Sequence, residues 1–186
     1  MKPGDPFVPE EILEQFDDFL AKKKVTYTAI LIGSGAMNIL GILKSVTTDF
    51  DVLDPKIPEN ILNLAEEFRI QMEAKGVKLN PNWINNGPAS LLNHLPVDWM
   101  KRITPLYKGR SITFSTLGRP EILMDKLWGY CDLKNADREV ILNLKPTKKE
   151  LETASDWLKK QEANPGWPSH VDEKVNELQK ELQNEE

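Results

Sequence analysis

Two short segments near the amino terminus carry residue types that could do chemistry together. Residues 33–38 read Gly-Ser-Gly-Ala-Met-Asn, and residues 47–53 read Thr-Thr-Asp-Phe-Asp-Val-Leu. Successive side chains of a strand alternate between its faces, so Asp49 and Asp51 project on one side while Phe50 points into the core. Two neighbouring carboxylates repel each other unless a cation lies between them, and such hard oxygen ligands suit Mg²⁺ together with substrate phosphates. The spacing therefore predicts a metal site.

The Gly-Ser-Gly turn offers what a phosphate needs. Gly33 and Gly35 carry no Cβ that would obstruct a phosphate group. A helix that begins at this turn presents unpaired backbone N–H groups and the positive end of its dipole. We therefore expect a phosphate site at the turn, adjoining the metal site.

Two other interpretations of these segments stay open. A Walker A loop is excluded, because no Gly-Lys-Ser/Thr follows the turn. A dinucleotide fingerprint fits loosely, since Gly33 and Gly35 are followed by Asn38 in place of the third glycine, and Asp51 stands near the position of the ribose-binding acid. In a purely structural interpretation, Asp49 and Asp51 face solvent from an edge strand and the glycines only turn the chain.

Hydrophobic periodicity and turn residues predict the elements that position these groups. They are an amphipathic helix over residues 9–23, a buried strand over 25–32, a short helix over 36–44, a strand over 49–53, a helix over 58–76, an extended segment over 79–84, a strand over 111–116, a helix from Pro120, a helix around 151–158 with Thr147 as N-cap, and a final helix over 170–182.

This order of elements predicts an α/β (α+β) fold. We expect a small mixed sheet flanked by helices, followed by a helical C-terminal region. The expected organisation is a core over residues 1–118 and a helical region over residues 119–186, packed on that core as a single compact unit.

Composition narrows the class of protein further. The chain has 186 residues, with 24 Lys and Arg against 29 Asp and Glu, which argues against coating nucleic acid by bulk charge. A single cysteine, Cys131, excludes an internal disulfide, and with only two histidines a Cys/His zinc site is not expected. No apolar run approaches the roughly 20 residues that span a bilayer. We expect a soluble cytoplasmic protein without a membrane segment.

One stretch of the chain is locally basic. The charged residues between Lys101 and Arg119 are all cationic and include Arg102, Lys108 and Arg110. A solvated surface explains such a stretch, and binding of an anion such as an RNA phosphate is the functional alternative.

The turn and the paired carboxylates resemble the nucleotidyltransferase fold, specifically the small proteins related to the AbiE and MenT toxin nucleotidyltransferases. Residues 33–36, Gly-Ser-Gly-Ala, resemble the glycine turn of that family, and residues 48–51, Thr-Asp-Phe-Asp, its Asp-x-Asp strand. Residues 117–127, Leu-Gly-Arg-Pro-Glu-Ile-Leu-Met-Asp-Lys-Leu, are similar to the segment that leads into a helix with a functional lysine. Lys134 and residues 137–139, Asp-Arg-Glu, resemble the motif that follows that lysine.

This resemblance, over about residues 25–145, implies a role for each matching residue. Gly33 and Ser34 hold the nucleotide phosphates, Asp49 and Asp51 bind catalytic Mg²⁺ or Mn²⁺, Lys126 contacts the triphosphate, and Asp137 orders the helix or its lysine. The implied reaction transfers an NMP from an NTP to a hydroxyl of RNA, such as a tRNA end, of a protein or of a small molecule. A toxin-like role implies an antitoxin partner.

A catalytically silent binding module that acts through a protein partner is the alternative function. The later strand that normally supplies a third carboxylate has no clear candidate, and Val140 stands where the family's second motif has another Asp. Asp98 could supply the third carboxylate, although residues 96–99, Pro-Val-Asp-Trp, are typical of a helix start.

Overall fold

A computed structural model describes residues 6–44, 46–132 and 137–184. Its α-helices are α1 (Pro9–Lys23), α2 (Gly33–Ile39), α3 (Glu59–Ala74), α4 (Arg119–Asp132), α5 (Arg138–Leu144), α6 (Lys148–Leu158) and α7 (Trp167–Asn184). Its strands are β1 (Tyr27–Ile32), β2 (Phe50–Asp54), β3 (Ile84–Asn85), β4 (Thr104–Lys108) and β5 (Ile112–Thr116), and 3-10 turns occupy Gly87–Asn93 and Trp99–Arg102.

The strands form one mixed sheet in the order β3-β2-β1-β5-β4. β1 is antiparallel to β2 and parallel to β5, β2 is parallel to β3, and β4 is antiparallel to β5. The pairing of Ile32 with Asp51 places the end of β1 beside the carboxylate strand. The predicted α/β class, a mixed sheet flanked by helices with a helical C-terminal region, is confirmed.

Contacts divide the chain into two compact units. The first comprises Met1–Asn93 and Ile103–Leu117 and contains the whole sheet. The second comprises His94–Arg102 and Gly118–Glu186. The division at residue 118 into a core and a region packed on it stays a prediction.

In the first unit, α1 has the bounds that the sequence predicts. Pro9 occupies the first turn with an acidic residue after it, cations lie in the last turn, and Lys24 closes the helix in the left-handed conformation. The apolar stripe of α1 is buried, and the ring of Phe16 lies 5.1 Å from that of Phe68 and 5.0 Å from that of Trp83. This aromatic cluster forms the core next to the candidate site.

In the second unit, α6 begins as its sequence predicts. The Thr147 side chain accepts a hydrogen bond from the Glu150 amide, and the Glu150 side chain accepts one from the Thr147 amide, which completes a capping box. The apolar residues Leu127, Leu158 and Leu178, from α4, α6 and α7, are fully or almost fully buried. They form the core of this unit.

Several predicted bounds are wrong. The short helix predicted over 36–44 is α2, which begins at Gly33 and ends at Ile39, because Gly41 adopts a φ of +70° that no helix continues. Of the extended segment predicted over 79–84, only the last residue, Ile84, lies in the two-residue strand β3. β4 and α5 are absent from the prediction, the first because its residues are mostly exposed and include Pro105.

Among the described residues, every helix is too short or too polar to cross a membrane.

Candidate functional site

The glycine turn lies directly against the second carboxylate. β1 ends at Ile32, whose backbone pairs with Asp51, and the chain then turns at Gly33 with a φ of +76°. A Cβ at Gly33 would overlap the carboxylate of Asp51, whose Cγ would lie only 3.2 Å away. Only glycine fits between the end of β1 and this carboxylate.

The first turn of α2 also packs on the carboxylate strand. A Cβ at Gly35 would lie 2.9 Å from Cδ1 of Phe50 and 3.3 Å from the backbone oxygen of Asp49. Phe50 and Val52 are fully buried, as the predicted alternation requires. The structure therefore brings the turn and the Asp49 to Asp51 segment together in the first unit.

Thr47 joins the two segments by hydrogen bonds, although no role is predicted for it from the sequence. Its Oγ1 lies 3.0 Å from Oγ of Ser34 and donates to the backbone oxygen of Asp49 at 3.0 Å. The signal that could have identified Thr47 is its place two residues before Asp49, where a threonine hydroxyl reaches backbone groups of its own turn.

The Asp49 carboxyl lies in a surrounding that disfavours its charge. Burial raises the pKa of this half-buried carboxyl. Within the part of the chain that the structure describes, no cationic side chain forms an ion pair with Asp49. A divalent ion at this point would stabilise the ionised form that burial disfavours.

The donor set fits Mg²⁺ that is shared with a substrate. Over residues 6–44, 46–132 and 137–184, no three His, Cys, Asp or Glu side chains are grouped to hold a metal ion. The candidate donors are therefore at most Asp49 and Asp51, and Mg²⁺ is commonly bound by one or two carboxylates with substrate phosphates completing its shell. The residues present suit that mode of binding and not an all-protein cage.

Lys126 lies on α4, in the second unit. Its ammonium forms ion pairs with Asp125 at 3.1 Å and with Asp137 at 3.3 Å, and the residue is buried. Burial by itself lowers the pKa of Lys126, but the two carboxylates outweigh it and raise the pKa above its ordinary value. The contact with Asp137 agrees with the ordering role implied for that residue. The triphosphate contact of Lys126 stays a prediction, and Lys134 lies outside the described residues.

Asp98, the alternative third carboxylate, lies in the second unit and binds a neighbouring arginine. Its Oδ2 lies 2.6 Å from Arg102, which also pairs at 2.6 Å with the fully buried Glu121. The side-chain hydrogen bond from Arg102 lowers the pKa of Asp98, so the carboxyl is an ionised partner of an arginine.

The arginines of the basic stretch are paired with carboxylates. Arg110 binds Asp18, and Arg119 binds Glu150 at 2.6 Å, in addition to the pairing of Arg102. Their positive charge is therefore largely compensated where they lie. This pairing favours the structural interpretation of these arginines over an anion-binding one.

Residues 10–150 match a family described as nucleotidyltransferase of unknown function (DUF6036). Because the match extends over more than half of the chain, the chain belongs to this family. A search of curated proteins and a search of solved structures each returned no match.

Proposed function

We propose that this nucleotidyltransferase-family protein transfers an NMP from an NTP to a hydroxyl, with Mg²⁺ or Mn²⁺ held by Asp49 and Asp51. The observation that carries the proposal is the close approach of Gly33 to the Asp51 carboxylate. This approach supports the proposal, because a glycine turn of a kind that can bind phosphate lies beside Asp51, one of the two carboxylates proposed to hold the divalent ion.

The residues of the first unit have complementary roles in this reaction. Asp49 and Asp51 hold the metal, and the backbone at Gly33 and Ser34 receives the phosphates. The bound ions supply charge neutralisation at the attacking and leaving oxygens. Phosphoryl chemistry of this kind demands positioning and electrostatic stabilisation, so the chain needs no nucleophile of its own. Burial raises the pKa of Cys131 to about 12, which makes this thiol unsuited to covalent catalysis.

Lys126 is part of the proposal by resemblance alone. An ammonium has three N–H donors, and Asp125 and Asp137 each accept one from Lys126. By resemblance, the ammonium would contact a triphosphate oxygen and offset the charge that grows on the pyrophosphate.

For the acceptor, we propose only the group that reacts, which is a hydroxyl of RNA, of a protein or of a small molecule. A tRNA end, a toxin-like role and an antitoxin partner follow from the resemblance to the AbiE and MenT toxin nucleotidyltransferases. The pairing of Arg102, Arg110 and Arg119 means that an RNA acceptor would draw its phosphate contacts mainly from other residues.

The test is transfer of label from each α-labelled NTP, with Mg²⁺ or Mn²⁺, to total RNA and to protein. Asp49→Asn and Asp51→Asn keep the side-chain shape but remove the metal-binding charge, so we expect at least about a hundredfold loss of transfer. Asp54→Asn, on the same strand, is the matched control and should retain wild-type transfer. Unchanged transfer by Asp49→Asn would contradict the metal assignment.

The silent binding module is the second candidate, because within the described residues no third carboxylate joins Asp49 and Asp51. A silent module that has lost the metal site should not bind NTP in a Mg²⁺-dependent way. Titration calorimetry of each NTP, with and without Mg²⁺, separates the candidates. Metal-dependent binding that Asp49→Asn abolishes supports the enzyme, whereas metal-independent binding or none supports the module.

A further inference from the structure

The Thr47 hydroxyl lies at the junction of the two halves of the candidate site. Thr47 as a whole is almost completely buried, whereas Ser34 is exposed. The Thr47 hydroxyl lies 3.0 Å from the Ser34 hydroxyl and 3.0 Å from the Asp49 backbone oxygen. Its contacts therefore join the phosphate turn to the carboxylate strand.

The directions of these hydrogen bonds follow from the inventory of donors. A threonine hydroxyl has one proton and two lone pairs, and a backbone oxygen can only accept. The Thr47 proton goes to the oxygen of Asp49, so the contact with Ser34 requires that Ser34 donate. The backbone amide of Asp49 lies 3.5 Å from Oγ1 of Thr47, on its acceptor side.

This arrangement orients the Ser34 side chain. With its proton directed to Thr47, Oγ of Ser34 presents lone pairs to its exposed side. Lone pairs suit a hydrated divalent ion and repel a phosphate oxygen. The phosphate contact of Ser34 then comes from its backbone N–H group, and its hydroxyl belongs to the cation side of the site.

The backbone of Thr47 is held independently of its hydroxyl. Phe7 donates to the Thr47 oxygen at 2.8 Å, and Thr47 donates to the Phe7 oxygen at 3.1 Å. The Phe7 ring, in turn, lies 5.5 Å from that of Phe50. Because this bridge uses only backbone groups, a change of the Thr47 side chain leaves it in place.

We propose that Thr47 is a positioning residue, whose hydroxyl holds Ser34 and the Asp49 backbone in the arrangement that binds a divalent ion with a nucleotide. This inference rests on the proposed function, because it assigns the same site to a metal and an NTP. It assigns Thr47 an indirect role, through its contacts with Ser34 and the Asp49 backbone.

The experiment measures binding and not turnover. The probe is Mn²⁺ together with each α,β-methylene NTP. Binding is measured as the loss of the electron paramagnetic resonance signal of free Mn²⁺. The variants are Thr47→Val, which keeps the shape without the hydroxyl, and Thr47→Ser, which restores it. Thr48→Val, the same type of change one residue further on, is the matched control.

We expect Thr47→Val to weaken Mn²⁺-nucleotide binding about tenfold, the factor that one well-placed hydrogen bond supplies. Thr47→Ser should bind within about threefold of the wild type. Ser34→Ala removes the same hydrogen bond from the exposed side, and adding it to Thr47→Val should cause little further loss. Ser34→Ala alone should also weaken binding, and because it leaves Thr47 in place it keeps the test decisive if Thr47→Val folds poorly.

The outcomes separate the two proposals. Wild-type binding by Thr47→Val, or equal weakening by Thr48→Val, would overturn the role of Thr47 and leave the proposed function intact. The role of Thr47 would also be overturned if the double variant lost as much Mn²⁺-nucleotide affinity as the sum of the losses in Ser34→Ala and Thr47→Val. If the wild-type protein binds no Mn²⁺-nucleotide, the proposed function fails, and the role of Thr47 fails with it.

Discussion

Glycine is required at position 33 for two separate reasons. Its φ of +76° lies in the left-handed region, and a Cβ there would overlap the Asp51 carboxylate. Gly41 shares only the first reason, since its φ is +70° but nothing lies within 4 Å of an added Cβ. The two glycines therefore separate conformational cost from contact with the carboxylate.

The first prediction compares Gly33→Ala with Gly41→Ala. Both changes should lower the free energy of unfolding by about 1–2 kcal/mol, the cost of a left-handed alanine. Gly33→Ala should lower it further and also abolish Mg²⁺-dependent NTP binding, because Asp51 must move. Urea denaturation and calorimetry measure the two effects. Equal losses of stability with retained binding in both variants would contradict the packing of Gly33 on Asp51.

At the scale of elements, Asp17 connects α1 to the turn between β4 and β5. Its buried carboxylate accepts hydrogen bonds from the amides of Arg110 at 2.9 Å, Ser111 at 2.8 Å and Ile112 at 2.7 Å. Burial alone raises the pKa of Asp17, but these three amides outweigh it and lower the pKa below its ordinary value. The hairpin depends on a helix residue more than ninety positions earlier in the sequence.

The second prediction is that Asp17→Ala is strongly destabilising. Removal of the carboxylate leaves buried amides without acceptors, so we expect a loss of about 2–4 kcal/mol in the free energy of unfolding. Asp18→Ala is the matched control, because the neighbouring Asp18 forms only an exposed ion pair with Arg110. It should cost less than about 1 kcal/mol. Similar losses in the two variants, measured by urea denaturation, would refute the assigned role.

The third prediction concerns Glu150 at the start of α6. Hydrogen bonds from Arg119 and from the Thr147 amide lower its pKa from an ordinary 4.5 to about 2. Because the folded-state pKa is the lower one, the ionised carboxylate stabilises the protein above the unfolded-state value. This contribution is lost as the pH falls from about 4.5 to about 2.

Glu150→Gln should therefore lower stability at pH 7 by about 1 kcal/mol, a figure reduced by the partial exposure of the ion pair. The difference from the wild type should shrink as the pH falls and vanish near the folded-state pKa. Glu152→Gln, whose partner Lys148 is 3.9 Å away and exposed, is the control and should show no such trend. A pH-independent difference for Glu150→Gln would contradict the assigned pKa.

Local signals in the sequence predict the long elements well. The amphipathic period and Pro9 give α1 its exact bounds, and Thr147 gives the start of α6. The short elements escape prediction because tertiary contacts stabilise them. β4 is an edge strand that pairs only with β5, and α5 is a single seven-residue helix with its apolar residues buried in the second unit.

The candidate site is also predictable from the sequence only in part. The sequence predicts that the glycine turn and the carboxylate strand adjoin, and the pairing of Ile32 with Asp51 brings Gly33 to Asp51. The connection through Thr47 needs atomic geometry that no spacing encodes. The two carboxylates around Lys126 also depend on how α4 meets the segment that carries Asp137, and periodicity says nothing of that.

At the scale of the whole molecule, the first unit is formed by two separate stretches of the chain. Residues His94–Arg102 interrupt the first unit and belong to the second. Trp157 donates to the His94 oxygen at 3.0 Å, and the His94 ring nitrogen Nδ1 lies 3.0 Å from Gln161. Arg102, at the end of this segment, pairs with the buried Glu121. The segment therefore depends on helices that follow it in the sequence.

The fourth prediction is that residues 94–102 unfold together with the second unit. Leu158→Ala removes a fully buried side chain of α6 and should cost about 2–5 kcal/mol within that unit. Amide hydrogen exchange should then accelerate at least about tenfold in residues 94–102 as well as in α4 and α6. Val52→Ala, an equally buried change in β2, is the control, and it should accelerate exchange in the sheet but not in residues 94–102.

Two outcomes would contradict this prediction. If only Val52→Ala accelerates exchange in residues 94–102, these residues belong to the first unit. An equal rise along the whole chain would show that the two units open as one, because separate cooperative units respond only to losses in their own core.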